Sequence, residues 1–150
     1  MTTMPAFSLP GSDGRTWTNQ DLAGKSYVLY FYPRDNTPGC TTEACDFRDA
    51  AKDLAKAGLT VFGVSPDDLV SHQGFISKQN LNFTLLADET HALAEKLGVW
   101  IEKKNYGKTY MGIDRSTFLV GKDGAILKEW RKVKVDGHVA DVLSAANSGR

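Results

Sequence analysis

Cysteine is nearly missing from this chain, with two in 150 residues, Cys40 and Cys45. A framework of several disulfides is therefore excluded as the source of its stability. Histidine is scarce too: His72, His91 and His138 fall in separate segments, and no Cys-x2-Cys pair accompanies them, so the usual zinc-ligand spacing is absent. Neither charge prevails. The 18 basic and 18 acidic residues cancel, which removes any global attraction to nucleic acid or to an anionic membrane. The densest basic run, Lys128 to Lys134, is broken by Glu129, Trp130 and Val133 and reads as a solvated strand face. No stretch approaches the ~18 apolar residues of a membrane span, and the opening MTTMPAFSLP lacks the pattern of a signal peptide. These absences point to the cytosol, where disulfides are usually transient and catalytic.

What is present is an ordinary globular composition, 41% hydrophobic and 24% charged. A chain of this length buries roughly 70% of its unfolded surface, and nothing in it reads as a linker or a repeat, so one domain over residues 1–150 is expected. AFSLPGSDGRTW, with Pro-Gly and Asp-Gly turn signals between short apolar pieces, predicts an amino-terminal hairpin. SYVLYFY (26–32) predicts a strand covered on both faces, LTVFGVS (59–65) a second buried strand and NFTLLAD (82–88) a third strand. Tyr27, Tyr30 and Phe31 are assigned to the sheet core. After the cysteines, Ala44, Phe47, Ala51, Leu54 and Ala55 recur at helical spacing and Gly58 closes the helix. Further helices are expected from Ser65-Pro66-Asp67-Asp68 through Lys78, and from a cap at Asp88 to Gly98 with Ala92, Leu93 and Leu97 inward. A last helix is expected over 137–146. STFLV (116–120) and AILKEWRKV (125–133) flank the turn Gly121-Lys122-Asp123-Gly124. Alternating strands and helices followed by an antiparallel hairpin imply an α/β, thioredoxin-like fold, with a mixed central sheet and helices on both faces.

Both cysteines lie in one stretch, YPRDNTPGCTTEAC (32–45). Thr37-Pro38 is a helix-start signal, Thr as N-cap and Pro in the first turn, which makes Cys40 the third helical residue. Unpaired backbone N–H groups and the positive end of the helix dipole gather there, and both stabilise a thiolate. Five residues of intact helix carry Cys45 about 7.5 Å along the axis and ~140° around it. The two Cα atoms are then about 8–9 Å apart, beyond the ~7 Å limit of a disulfide. A disulfide between them would require the first turn to unwind, giving a protein that is folded when reduced and locally unfolded when oxidised. Two buried, inert core cysteines remain the bland alternative at this point, because free cysteine is among the most buried residue types.

Pro33, Thr37 and Cys40 match the P-x-x-x-T-x-x-C motif, and TPGCTTEAC (37–45) resembles the peroxiredoxin family, in its peroxiredoxin Q or bacterioferritin comigratory protein subgroup. FSLPGSDG, LNFTLLAD and GKTYMGIDRSTFLV extend the resemblance over nearly the whole chain. It implies a thioredoxin-dependent peroxidase in which Cys40 is the peroxidatic thiolate that attacks the O–O bond of a hydroperoxide. Thr37 would hydrogen-bond the thiolate and the peroxide, besides serving as N-cap. Pro33 would shield the thiolate, where a plain reading makes it a strand terminator. Arg115, on sequence alone a surface strand residue, stands where the family keeps the arginine that stabilises the thiolate and the developing charge. Cys45 matches the resolving cysteine of many members; others carry it on a later helix, where this chain has none. The implied cycle runs through a sulfenic acid and a Cys40–Cys45 disulfide to reduction by thioredoxin or a similar dithiol. It needs no haem, flavin, metal or other cofactor. Glu43 reads mainly as a first-turn helix acid and secondarily as an orienter of nearby polar groups. A monomer is expected, for want of a long exposed apolar stripe. Two other functions use the same thiols: a redox sensor that signals its oxidised state to a partner, and a general oxidoreductase of protein disulfides.

Overall fold

The computed structural model describes residues 2–148. Along the chain run β1 (Ser8–Pro10), β2 (Thr16–Thr18), β3 (Ser26–Phe31), α1 (Pro38–Lys56), β4 (Leu59–Ser65), α2 (Leu69–Gln79) and β5 (Thr84–Ala87). Then follow α3 (Ala92–Lys96), β6 (Trp100–Asn105), β7 (Lys108–Ile113), β8 (Ser116–Val120), β9 (Ile126–Trp130) and α4 (His138–Ser148). β1 and β2 form the expected amino-terminal hairpin, with Leu9 opposite Trp17. The central sheet has the strand order β5-β4-β3-β8-β9. Its β3–β4 and β4–β5 pairs are parallel, while β3–β8 and β8–β9 are antiparallel. The mixed sheet expected from the sequence is therefore present.

Alternation along β3 divides the core between two faces. Val28 and Tyr30 join Phe47 and Leu54 of α1, Phe75 of α2 and Val139 and Val142 of α4 on one face. Leu29 and Phe31 join Leu93 and Ala94 of α3, Phe7, Leu9 and Val99 on the other. Residues 28–31 are all 0% exposed, which is why this strand carries no polar alternation. Each large apolar side chain buried in this way contributes about 1.5–3 kcal/mol relative to exposure.

Several local expectations are corrected. Ala55 is exposed, so the inward stripe of α1 runs through Cys40, Glu43, Ala44, Phe47 and Leu54. α3 is only one turn and a half long. His91 stands at its N-terminal flank in the left-handed region (φ 52°), and Asp88 reaches past it to accept from the amides of Leu93 (3.3 Å) and Ala94 (3.0 Å). Ala92 faces solvent and Ala94 is buried in its place. The β6–β7 hairpin was not anticipated. Its turn, Tyr106–Gly107, takes two positive φ angles, 51° and 77°, as a tight two-residue hairpin turn requires. Lys128, Arg131, Lys132 and Lys134 of the basic run are exposed, in keeping with a solvated edge. Among the described residues no helix is long and apolar enough to cross a membrane.

One consequence of the topology matters for function. Because β8 runs antiparallel to β3, Phe31 lies opposite Ser116, and the start of β8 sits beside the end of β3. The residue before β8, Arg115, is thereby brought to the loop and helix that follow β3, 75 residues away from Cys40 in sequence.

Candidate active site

Tyr32 ends the buried run of β3, and residues 33–36 turn the chain into α1. Asn36 takes a left-handed conformation (φ 64°) and Thr37 an extended one (ψ 154°), after which Pro38 opens the helix. Pro suits this place because its fixed φ is helical and its missing N–H would have had no acceptor. The Thr37 carbonyl accepts from the Thr41 amide at 2.8 Å, the first bond of the helix. Its hydroxyl makes no cap; it donates to the Arg34 carbonyl at 2.9 Å, which leaves its lone pairs to accept. Pro33 is half-buried at the head of this loop.

Cys40 is 1% exposed and lies in the first turn. Arg115 Nη2 donates to Cys40 Sγ at 3.3 Å, while Nη1 donates to Glu43 Oε1 at 2.7 Å. The guanidinium is thus a fork between a thiol and a carboxylate, a bridge that the point charge of a lysine cannot make. Arg115 is mostly buried, not on the surface: its side chain is 16% exposed and that of Glu43 is 0% exposed. Space for the guanidinium comes from Gly39, where a Cβ would lie 3.3 Å from Nη2.

Glu43 corrects its main sequence reading. It is no solvated first-turn acid; it sits three residues after Cys40 on the same helix face and is sealed in the core. Burial pushes its carboxyl up to about 7, against the lowering effect of the Arg115 charge. Among the described residues Oε2 has no hydrogen-bond partner, and neither does the buried hydroxyl of Tyr30, beneath the same helix. Burial, followed by the nearby charges of Glu43 and Cys40, raises the Tyr30 phenol well above its usual range.

Cys45 is half-buried, free and in unbroken helix, its Sγ donating to Gln79 Oε1 of α2 at 3.6 Å. The structure therefore brings Cys40 and Arg115 into contact, holds Thr37 and Pro33 in the adjoining loop, and keeps Cys45 apart on the other side of α1. One further set of polar groups, Asp35, Asp67 and His72, gathers behind the loop with its ligand-type atoms within 4.8 Å of one another. Asp35 accepts from Tyr32, Ser71 and His72, Asp67 accepts from Ser65 and from the Asp35 amide, and His72 Nε2 faces the Leu86 carbonyl. Protein partners already engage these groups, so the cluster reads as a structural network.

The AhpC/TSA family model matches residues 2–129. Peroxiredoxin Bcp of Bacillus subtilis is 55% identical over 139 residues, covering 93% of this chain and 88% of the relative. A putative peroxiredoxin of Coxiella burnetii is 51% identical, with 93% and 92% covered. The solved bacterioferritin comigratory protein of Xanthomonas campestris, described for its alkyl peroxide reduction activity, superposes with a TM-score of 0.91 at 43% identity, over 95% of this chain and 91% of the other. The chain belongs to the AhpC/TSA family and is a peroxiredoxin.

In this peroxiredoxin, the burial of Glu43 against Arg115 and the network behind the loop escaped sequence reasoning. Glu43 could have been found from spacing alone, since it falls on the stripe shared by Cys40, Ala44 and Phe47. The Asp35–His72 network left no such signal, because Asp35 lies in a loop without periodicity and its partner is 37 residues away.

Proposed function

We propose that the chain works as a thiol peroxidase of the peroxiredoxin Q type, with Cys40 as the peroxidatic cysteine. The observation that carries this reading is the Arg115 guanidinium 3.3 Å from the Cys40 sulfur at a helix N-terminus. The thiolate attacks one oxygen of the hydroperoxide; the O–O bond breaks and the other oxygen leaves as alkoxide or hydroxide, protonated to alcohol or water. Arg115 and the amides at the head of α1 stabilise the charge spreading along S–O–O, without having to reorganise as it forms. Thr37, with its hydrogen given to Arg34, accepts from the peroxide O–H and aligns it; Pro33 limits water at the thiolate.

The product on Cys40 is a sulfenic acid. Cys45 is the resolving cysteine: its sulfur attacks the sulfenic sulfur, water leaves, and the Cys40–Cys45 disulfide forms. Intact α1 forbids this bond, so the first turns unwind for it. A thioredoxin-type dithiol then reduces the disulfide through a mixed disulfide, taking the oxidation onto itself. On the same reading the single domain works as a monomer in the cytoplasm. Among the described residues the exposed large apolar ones, Val70, Tyr106, Tyr110, Met111 and Leu127, divide among α2, the β6–β7 hairpin and β9, which supports the monomer.

The test is turnover. With catalytic protein, excess peroxide and a thioredoxin-type dithiol, peroxide is consumed continuously; Cys40→Ser abolishes consumption and Cys45→Ser stops it after one equivalent. Consumption that ceases after one equivalent in the unsubstituted protein, with the dithiol present, would favour the sensor reading.

A further inference from the structure

The loop that carries Pro33 and Thr37 is held from behind by one buried residue. Asp35 is 5% exposed and lies midway between them. Its Oδ1 accepts from Tyr32 Oη at 2.6 Å; its Oδ2 accepts from Ser71 Oγ at 2.7 Å and faces His72 Nδ1 at 2.8 Å. Its backbone amide donates to Asp67 Oδ2 at 2.8 Å, and Ser65 Oγ donates to the same oxygen at 2.6 Å. His72, 0% exposed, closes the network through Nε2, 3.0 Å from the Leu86 carbonyl. Both ring nitrogens thus face oxygen atoms of the surrounding network. The loop is tied in this way to β4 through Ser65, to β5 through Leu86 and to α2 through Ser71 and His72. Directly after the tie, Asn36 takes its left-handed conformation, a strained choice for a residue with a side chain that needs the surroundings to hold it.

We propose that His72 is a positioning residue for the peroxide reaction: by gripping Asp35 it fixes the 33–37 loop, and with it the place of Pro33 and Thr37 over Cys40. The inference rests on the assignment of Cys40, Thr37 and Pro33 above. Neither His72 nor Asp35 touches the thiol in this arrangement. Their effect is therefore specific to a reagent that must be bound and aligned, and is not felt by one that needs only an accessible thiolate.

That difference supplies the test. His72→Leu keeps bulk and removes both hydrogen bonds; Ser71→Ala, at a half-buried position, removes one donor to Asp35 with little risk to the fold. For each, and for the unsubstituted protein, the second-order rate constant of Cys40 is measured with hydrogen peroxide and with iodoacetamide. The expected result is a loss of about 10²-fold with peroxide in His72→Leu, the scale of a displacement near 1 Å at a reacting group. Ser71→Ala loses less, in the same direction, and the iodoacetamide rate stays within about threefold in both, since alkylation draws on no aligned site. Peroxide rates that hold in either folded variant would overturn the proposal, as would parallel losses with both reagents. If His72→Leu does not fold, Ser71→Ala decides alone. If the unsubstituted protein shows no preference for peroxide over iodoacetamide, the assignment of Cys40 fails instead, and the two failures are told apart.

Discussion

At Cys40 a buried sulfur, a buried carboxylate and a single guanidinium share one small volume, and the fork geometry decides what each can do. Arg115→Lys keeps the charge but cannot reach Sγ and Glu43 Oε1 together. The peroxide rate constant is expected to fall by about 10²–10³-fold, the usual cost of losing a preorganised donor, with the fold retained by circular dichroism. Gly39→Ala tests the same fork from outside: its Cβ would lie 3.3 Å from Nη2, so the guanidinium has to shift by a few tenths of an ångström. A loss of up to about tenfold in peroxide rate is expected, and an unchanged rate would mean that the guanidinium position is not critical. Truncating Arg115 to Ala is less informative, because it also strands the buried Glu43 carboxyl, a change that costs about 3–5 kcal/mol where a buried partner is left unpaired.

At the scale of elements, the proposed cycle requires α1 to be both a rigid platform and a segment that opens. Its far half is clamped to α2 and the loop beyond: Arg48 Nη1 donates to the Gln79 carbonyl at 2.7 Å, and Asn82 Nδ2 donates to the Arg48 carbonyl at 3.2 Å. The near half, from Pro38 to Cys45, is joined to α2 by the long thiol contact to Gln79. On oxidation, hydrogen exchange is therefore expected to accelerate in the first two turns and to stay slow beyond Arg48. Acceleration over the whole helix would contradict a clamp at Arg48. Much of this arrangement was legible in the sequence. Thr37-Pro38-Gly39-Cys40 specifies a helix start through local chemistry alone, and the largely apolar runs of β3 and β4 specify burial. What could not be read depends on contacts distant along the chain. The burial of Arg115 follows from the antiparallel pairing of β8 with β3, and Asp35–His72 from the docking of α2 against the loop. The β6–β7 hairpin was passed over because exposed Lys, Glu and Tyr give it no apolar face to detect, although Tyr106-Gly107 marks its turn.

The whole molecule responds to pH through two buried groups with opposite signs. His138 is held neutral inside, burial bringing it down to about 4, with Thr117 Oγ1 2.7 Å from Nε2. Between about 4 and the ordinary histidine range the unfolded chain binds the extra proton, so this group withdraws stability as pH falls. Glu43 is shifted up to about 7, so between the ordinary carboxylate range and 7 the folded state binds the extra proton, and stability is withdrawn as pH rises. Denaturant midpoints measured from pH 4 to 7.5 are expected to shift accordingly. Relative to the unsubstituted protein, Glu43→Gln gains stability toward the upper end and His138→Asn loses its acid sensitivity; the same pH slope in all three proteins would contradict these assignments. In the proposed cycle, intact α1 keeps the two thiols apart until peroxide joins them in one disulfide. The most direct measurement reduces the protein, adds one equivalent of hydrogen peroxide, and records free thiols and intact mass. The prediction is loss of both thiols with the mass of two hydrogen atoms, abolished by Cys40→Ser, while Cys45→Ser retains added oxygen on Cys40. Survival of both thiols in the folded protein through minutes of exposure would contradict it.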